Sequence, residues 1–145
     1  MKKRFKRTLF AITLTAISAF CTIAAGATSN TVTGSFTYNG MGYTAYGKNS
    51  SSLTKNSEKI EISTSVAAHY GATAKQDKVY VNWQKANTTT GAELGKIQNK
   101  YKNNATRIDA VDYAPLGYKL TVFSYHEVTS NGDIVFSKNT ISSIS

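Results

Sequence analysis

Two histidines are the side chains of this sequence best suited to proton transfer near neutral pH. His69 lies in the polar phase of an alternating segment, whereas His126 lies in the apolar phase of another. A histidine that met a carboxylate such as Glu127 or Asp112 in space would give a small hydrolase. The same placement fits a surface histidine and a hydrogen-bonded core histidine, and these structural roles are the ones we expect.

Nucleophiles and metal ligands form no catalytic motif. No serine lies in a Gly-x-Ser-x-Gly turn, and the single cysteine, Cys21, belongs to an apolar stretch near the N-terminus. Neither a zinc-ligand spacing nor an Asp-x-Asp-x-Asp-Gly calcium loop occurs, which leaves a calcium ion held by loop carbonyls as the remaining metal hypothesis. We therefore predict a protein that is not an enzyme and carries no cofactor.

Tyrosine is the residue type that stands out, with nine copies alongside a single tryptophan, Trp83. Its ring offers a flat apolar face and a hydroxyl with little side-chain entropy to lose, so it recurs where proteins hold sugars, peptides or other proteins. Alternation places Tyr46 outward, and Tyr80 outward with Asn82 and Gln84. These four residues are our predicted ligand-binding residues. The alternative is that the tyrosines fill and rim a small β core.

The elements that carry these side chains have the period-two alternation of half-buried strands. The Asn39-Gly40 pair predicts a two-residue hairpin turn that pairs Phe36 with Tyr43. Two later segments place apolar side chains on one face each: Ile60, Ile62, Val66, Ala68 and Tyr70 in the first, and Val79, Val81 and Trp83 in the second.

The last hairpin has two possible loops. A two-residue Asn131-Gly132 loop would pair Val128 with Val135 and turn Ile134 and Phe136 away from Leu120 and Val122. A three-residue loop that begins at Ser130 keeps them inside, pairing Val128 with Ile134 and His126 with Phe136. The hydrophobic pattern therefore favours the three-residue loop.

One stretch departs from alternation. Leu94, Ile97 and Tyr101 follow a helical spacing, and Thr90 with Glu93 resembles a capping box. These features predict one short helix near residues 91–102, with an irregular strand as the competing interpretation. The whole pattern is that of a mainly β chain, an antiparallel β-sandwich or partly open barrel of about seven strands.

The first 27 residues have the features of a cleaved signal peptide. A basic cluster at residues 2–7 precedes an uncharged apolar stretch, and Ala25-Gly26-Ala27 offers the small residues that a signal peptidase accepts. Cleavage after Ala27 would leave residues 28–145 as a single secreted, cysteine-free β domain. No transmembrane segment follows the leader in the sequence.

Charge argues against nucleic acid as the partner. Five of the 17 basic residues lie in the leader, so 12 remain against eight acidic residues, a net charge of +4. The lysines are scattered singly rather than gathered in a stripe, so we expect no specific nucleic-acid binding.

The function that we predict is a small secreted, non-catalytic binding module that recognises a glycan or a protein at a cell surface. The alternative is a secreted antibacterial or inhibitory factor that acts on a target envelope through Lys96, Lys100 and Lys102. A histidine-dependent hydrolase is the third hypothesis.

Overall fold

Period-two alternation of apolar side chains gives eight antiparallel strands. The computed structural model describes residues 28–71 and 75–144, so the predicted leader, residues 1–27, lies outside the described residues. The strands are β1 (Ser29–Tyr38), β2 (Met41–Leu53), β3 (Ser57–Ala68), β4 (Gln76–Asn87), β5 (Gln98–Ala105), β6 (Arg107–Pro115), β7 (Leu120–Ser130) and β8 (Asp133–Ser143). The prediction of a mainly β chain is confirmed.

The strands form two four-stranded sheets that stack as a sandwich. One sheet has the order β1–β2–β3–β6 and the other β5–β4–β7–β8. At one edge, the backbone N–H of Thr28 donates to the carbonyl of Ser143, which brings the start of β1 to the end of β8 (3.2 Å). At the other edge, Lys100 Nζ of β5 donates to the carbonyl of Asp109 on β6 (2.8 Å). The inner faces of the two sheets enclose the core.

Two apolar clusters fill the space between the sheets. The larger contains Ile60, Ile62, Val79, Val81, Trp83, Ala105, Ile108, Ala110, Ala114, Leu120 and Val122. The smaller contains Tyr43, Ala45, Val66, Val128 and Phe136. Full burial of a Val, Ile or Phe side chain contributes about 1.5–3 kcal/mol, so these clusters supply the main driving force for folding.

A row of buried polar side chains lies among the apolar ones. His126 is fully buried, with Nδ1 2.9 Å from Thr64 Oγ1 and Nε2 2.8 Å from Thr140 Oγ1. Asn49, also fully buried, donates from Nδ2 to the carbonyl of Val122 and accepts a hydrogen bond from Ser142 Oγ at its Oδ1. The bonds of His126 with Thr64, and of Asn49 with Val122 and Ser142, join the two sheets through side chains rather than through a disulfide.

The first hairpin has the predicted register. Tyr38 is opposite Met41 and Phe36 is opposite Tyr43, whose ring it stacks on at 5.2 Å. Asn39 and Gly40 both have positive φ, 49° and 75°, as this turn requires.

The last hairpin corrects the sequence prediction. The turn is the two-residue Asn131-Gly132 loop, because Ser130 is opposite Asp133 and both turn residues have positive φ. A register shift between Val128 and Thr129 then brings Phe136 opposite Val128. This irregularity buries Phe136 and leaves Ile134 60% exposed, so only one of the two apolar residues enters the core.

The predicted helix near residues 91–102 is also wrong. Residues 98–105 form the edge strand β5, which makes eight strands rather than about seven, and residues 88–97 form the connection from β4. The helical structure found among the described residues is one 3₁₀ turn, His69–Gly71, in which Tyr70 has a φ of 66° and is fully exposed rather than inward-facing. No helix that could span a membrane is found in the described part of the chain.

Candidate binding face

The four predicted binding residues do not lie together. Tyr80 and Asn82 alternate with buried residues of β4 and therefore share its outer face, where both are half-buried. Gln84 has the same phase but is only 9% exposed, and its Nε2 donates to the carbonyl of Gly95 at 2.9 Å. Tyr46 lies on the outer face of the other sheet. The structure thus unites Tyr80 with Asn82 and separates Tyr46 from them.

Strand order surrounds Tyr80 with two further tyrosines. Tyr101 of β5 is directly opposite Tyr80, and directly opposed residues share one face of an antiparallel sheet. Tyr125 of β7 lies diagonally across, with ring centroids 6.3 Å apart and planes at 65°. Tyr101 is 60% exposed, whereas Tyr80 and Tyr125 are half-buried. The three rings form an aromatic strip across three strands.

A row of amides runs beside this strip. Asn82 is opposite Asn99 on β5 and opposite Tyr125 on β7, which in turn is opposite Asn139 on β8. Asn99 and Asn139 are exposed. We call the six side chains together the tyrosine face: Tyr80, Tyr101, Tyr125, Asn82, Asn99 and Asn139.

The charges beside the tyrosine face neutralise one another. Lys78 Nζ forms an ion pair with Glu127 Oε1 at 2.8 Å and lies 5.4 Å from the centroid of the Tyr80 ring. The hydroxyl of Tyr125 donates to Glu127 Oε2 at 3.1 Å. Burial, and then the nearby negative charge of Glu127, raise the pKa of Tyr125, so its hydroxyl stays protonated at neutral pH. The face therefore presents rings, amides and hydroxyls without a net charge.

Such an arrangement has the chemistry to hold a ligand. Aromatic faces pack against the C–H faces of a sugar ring, and primary amides both donate to and accept from hydroxyls. Sequence reasoning missed Tyr101, which it placed in a helix, and Tyr125, Asn99 and Asn139. Only the strand order β5–β4–β7–β8 reveals that these residues lie beside Tyr80.

The two histidines do not form a catalytic pair. Both ring nitrogens of His126 are bonded to threonine hydroxyls inside the sandwich, where no external substrate reaches them. His69 is exposed, and its Nε2 lies 2.9 Å from Thr44 Oγ1 on the outer face of β2. The carboxylates considered as partners are engaged elsewhere, Glu127 with Lys78 and Asp112 with Lys85.

No cluster of three or more His, Cys, Asp or Glu side chains that could hold a metal ion occurs in residues 28–71 and 75–144. Comparisons of the chain with protein-family models, curated proteins and solved structures find no match.

Proposed function

We propose that this protein is a small non-catalytic binding module that acts outside the cell and holds a glycan on its tyrosine face. The observation that supports this most is the alignment of Tyr101, Tyr80 and Tyr125 across three neighbouring strands, with amides beside them. We propose secretion because the first 27 residues have the features of a signal peptide. Export would bring the protein to a glycan at a cell surface.

Three properties of the face favour a neutral glycan as the ligand. A sheet surface is open and gently twisted, which suits an extended chain better than a compact molecule. The local charges are paired, so neither an anionic nor a cationic ligand finds a free counter-charge there. Tyrosine and asparagine together match a ligand that alternates apolar ring faces with hydroxyl groups.

The test compares two exposed tyrosines on opposite faces of the sandwich. Tyr101 is 60% exposed on the tyrosine face, and Tyr113 of β6 is 55% exposed on the outer face of the other sheet. We expect Tyr101→Ala to weaken binding to a neutral polysaccharide about tenfold, as for the loss of an aromatic contact with the ligand, and Tyr113→Ala to leave it unchanged. Affinity electrophoresis against a panel of neutral and acidic polysaccharides measures both.

Both variants should stay folded, because a cross-strand aromatic pair contributes only about 0.2–1 kcal/mol. Equal affinities for Tyr101→Ala, Tyr113→Ala and the unchanged protein would exclude the tyrosine face as the glycan site. If the protein binds only a cell-surface protein, and Tyr101→Ala abolishes that binding, then the tyrosine face is the binding site but its ligand is a protein rather than a glycan.

A second candidate function, a secreted inhibitory factor acting on a target envelope, is favoured by strand β5. Lys100 and Lys102 are exposed on this edge strand, whose outer backbone groups have no neighbouring strand among the described residues. Lysine contacts with an anionic envelope weaken as salt screens them. Growth inhibition that disappears at raised salt and in a Lys100→Gln, Lys102→Gln variant would favour this function over glycan binding.

A further inference from the structure

A pocket of about 380 Å³ opens at the edge of the sandwich where β5 and β6 meet. It is separate from the tyrosine face, because Trp83 and Asp112 belong to the inner phase of their strands. Its volume lies in the range of small-molecule sites. The residues that line it include Trp83, Lys85, Leu94, Lys96, Val111 and Asp112.

A bulge in the chain opposite β4 creates this pocket. Glu93 bridges to Ala86, and Gln98 is opposite Trp83. Between these two pairings β4 has two residues, whereas the opposing chain has four, residues 94–97. Gly95 has a φ of 86°, a conformation that only glycine adopts readily. Bulges of this kind redirect side chains and are common next to binding sites.

Hydrogen bonds hold the bulge and the pocket floor in place. The backbone N–H of Leu94 donates to the carbonyl of Lys85 at 2.8 Å. Asp112 accepts at Oδ2 from Trp83 Nε1 (2.8 Å) and from Lys85 Nζ (2.9 Å), and at Oδ1 from the backbone N–H of Tyr113 (2.7 Å). Burial alone would raise the pKa of Asp112, but these donors together lower it, so the group is a carboxylate at neutral pH.

The charged side chains of the pocket offer unused hydrogen-bond donors. The ammonium of Lys85 has three N–H groups and gives two of them, one to Asp112 and one to the carbonyl of Tyr113 at 3.2 Å. Lys96 forms no salt bridge with any described residue. Two ammonium groups against one engaged carboxylate leave the lining with a single excess positive charge.

We propose that this pocket binds a small organic carboxylate. The carboxylate group of the ligand accepts hydrogen bonds from Lys96 and from the free N–H of Lys85. Its carbon skeleton packs against the apolar wall formed by Leu94 and Val111, the latter 50% exposed. Asp112 is a positioning residue that fixes Lys85 and the indole of Trp83. This inference is independent of the proposed glycan site.

The chain contains one tryptophan, so a single indole N–H resonance reports on the pocket. The purified protein is titrated with galacturonate and hexanoate, and with galactose and hexanol as neutral counterparts of similar shape. Calorimetry of the same titrations detects binding that does not move the resonance. We expect saturable binding and a shift of the indole resonance with at least one carboxylate, and neither with the neutral compounds. Binding of galacturonate would identify the ligand as a sugar acid, and binding of hexanoate would identify it as an aliphatic acid.

Lys96→Met and Lys102→Met form a matched pair, because both lysines are exposed but Lys102 does not line the pocket. We expect Lys96→Met to weaken carboxylate binding about tenfold or more, the effect of losing a hydrogen bond from a charged donor, and Lys102→Met to preserve it. Equal affinities in the two variants would overturn the proposal, as would the absence of carboxylate binding or equal binding of galactose. We expect Tyr101→Ala to leave carboxylate binding unchanged. A failure of the carboxylate proposal can therefore be distinguished from a failure of the glycan proposal.

Discussion

His126 should make this protein lose stability in mild acid. Thr64 uses its hydroxyl proton to donate to the carbonyl of Tyr80 at 3.0 Å, so His126 Nδ1 must donate to Thr64 Oγ1. Nε2 then accepts from the hydroxyl of Thr140. The site is built for the neutral imidazole, and a second ring proton would have to displace the Thr140 donor.

Burial lowers the pKa of His126 to about 4, although a hydrogen bond with the backbone of Ser63 opposes this change. In the unfolded chain the pKa is about 6.5. As the pH falls from 6.5 to 4, the unfolded state binds a proton that the folded state does not, so the free energy of unfolding decreases. At 1.36 kcal/mol per pH unit, the total loss is about 3 kcal/mol. The contribution of neutral His126 to the free energy of unfolding is fully present above about pH 6.5.

The assay is urea denaturation at a series of pH values from 7.5 to 4.5. His126→Gln removes the titrating group, so its free energy of unfolding is lower at pH 7.5 but changes less with pH over this window. His69→Gln is the matched control, since His69 is exposed and its removal should keep the slope. Asp112, whose pKa is lowered in the fold, adds its own loss only below about pH 4. Identical slopes for His126→Gln and the unchanged protein would refute the reasoning.

Two further substitutions test the packing around this site. In Gly47→Ala, the new Cβ would lie 2.5 Å from Cγ of the His126 ring, and such overpacking should cost about 3 kcal/mol or more in thermal unfolding. Trp83→Ala should cost roughly 3–5 kcal/mol, because the indole is 8% exposed and bonded to Asp112. A Trp83→Ala melting curve that matches the unchanged protein would contradict the assignment of this side chain to the core.

The first hairpin was predictable because all of its determinants are local. Asn39 and Gly40 both tolerate positive φ, and the two-residue turn puts Phe36 opposite Tyr43 on the apolar side. The second hairpin has the same Asn-Gly chemistry, yet the hydrophobic pattern favoured a longer loop. The prediction assumed an uninterrupted ladder, whereas the chain shifts register beside Val128. Alternation alone does not show where a strand slips by one residue.

Strand β5 was mistaken for a helix because neither of its faces is buried, so its sequence has no alternating apolar pattern. Every side chain from Gln98 to Asn104 is exposed, and only Ala105 is buried. Period-two alternation arises when one face of a strand contacts the core, so a strand exposed on both faces lacks it. The spacing of Leu94, Ile97 and Tyr101 was then the only pattern left, and it resembles a helix by coincidence.

The candidate site was predicted only in part for a related reason. Alternation correctly placed Tyr80 and Asn82 on an outer face, because it distinguishes inward from outward positions. It does not reveal which sheet an outward residue belongs to, and Tyr46 lies on the opposite one. Tyr101 joins Tyr80 only through the pairing of β4 with β5, a contact that strand order determines.

The buried polar row explains how two sheets without a disulfide keep one alignment. Apolar side chains tolerate small displacements, but Asn49 and His126 are satisfied only when specific atoms of the opposite sheet face them. A displacement of one sheet along the other would leave these groups buried without partners, at about 1–3 kcal/mol for each lost hydrogen bond. Gly47 gives the His126 ring the room it needs. The polar row therefore adds specificity to a fold whose stability comes from its apolar clusters. Because His126 is buried in its neutral form, the same row makes the free energy of unfolding decrease in acid.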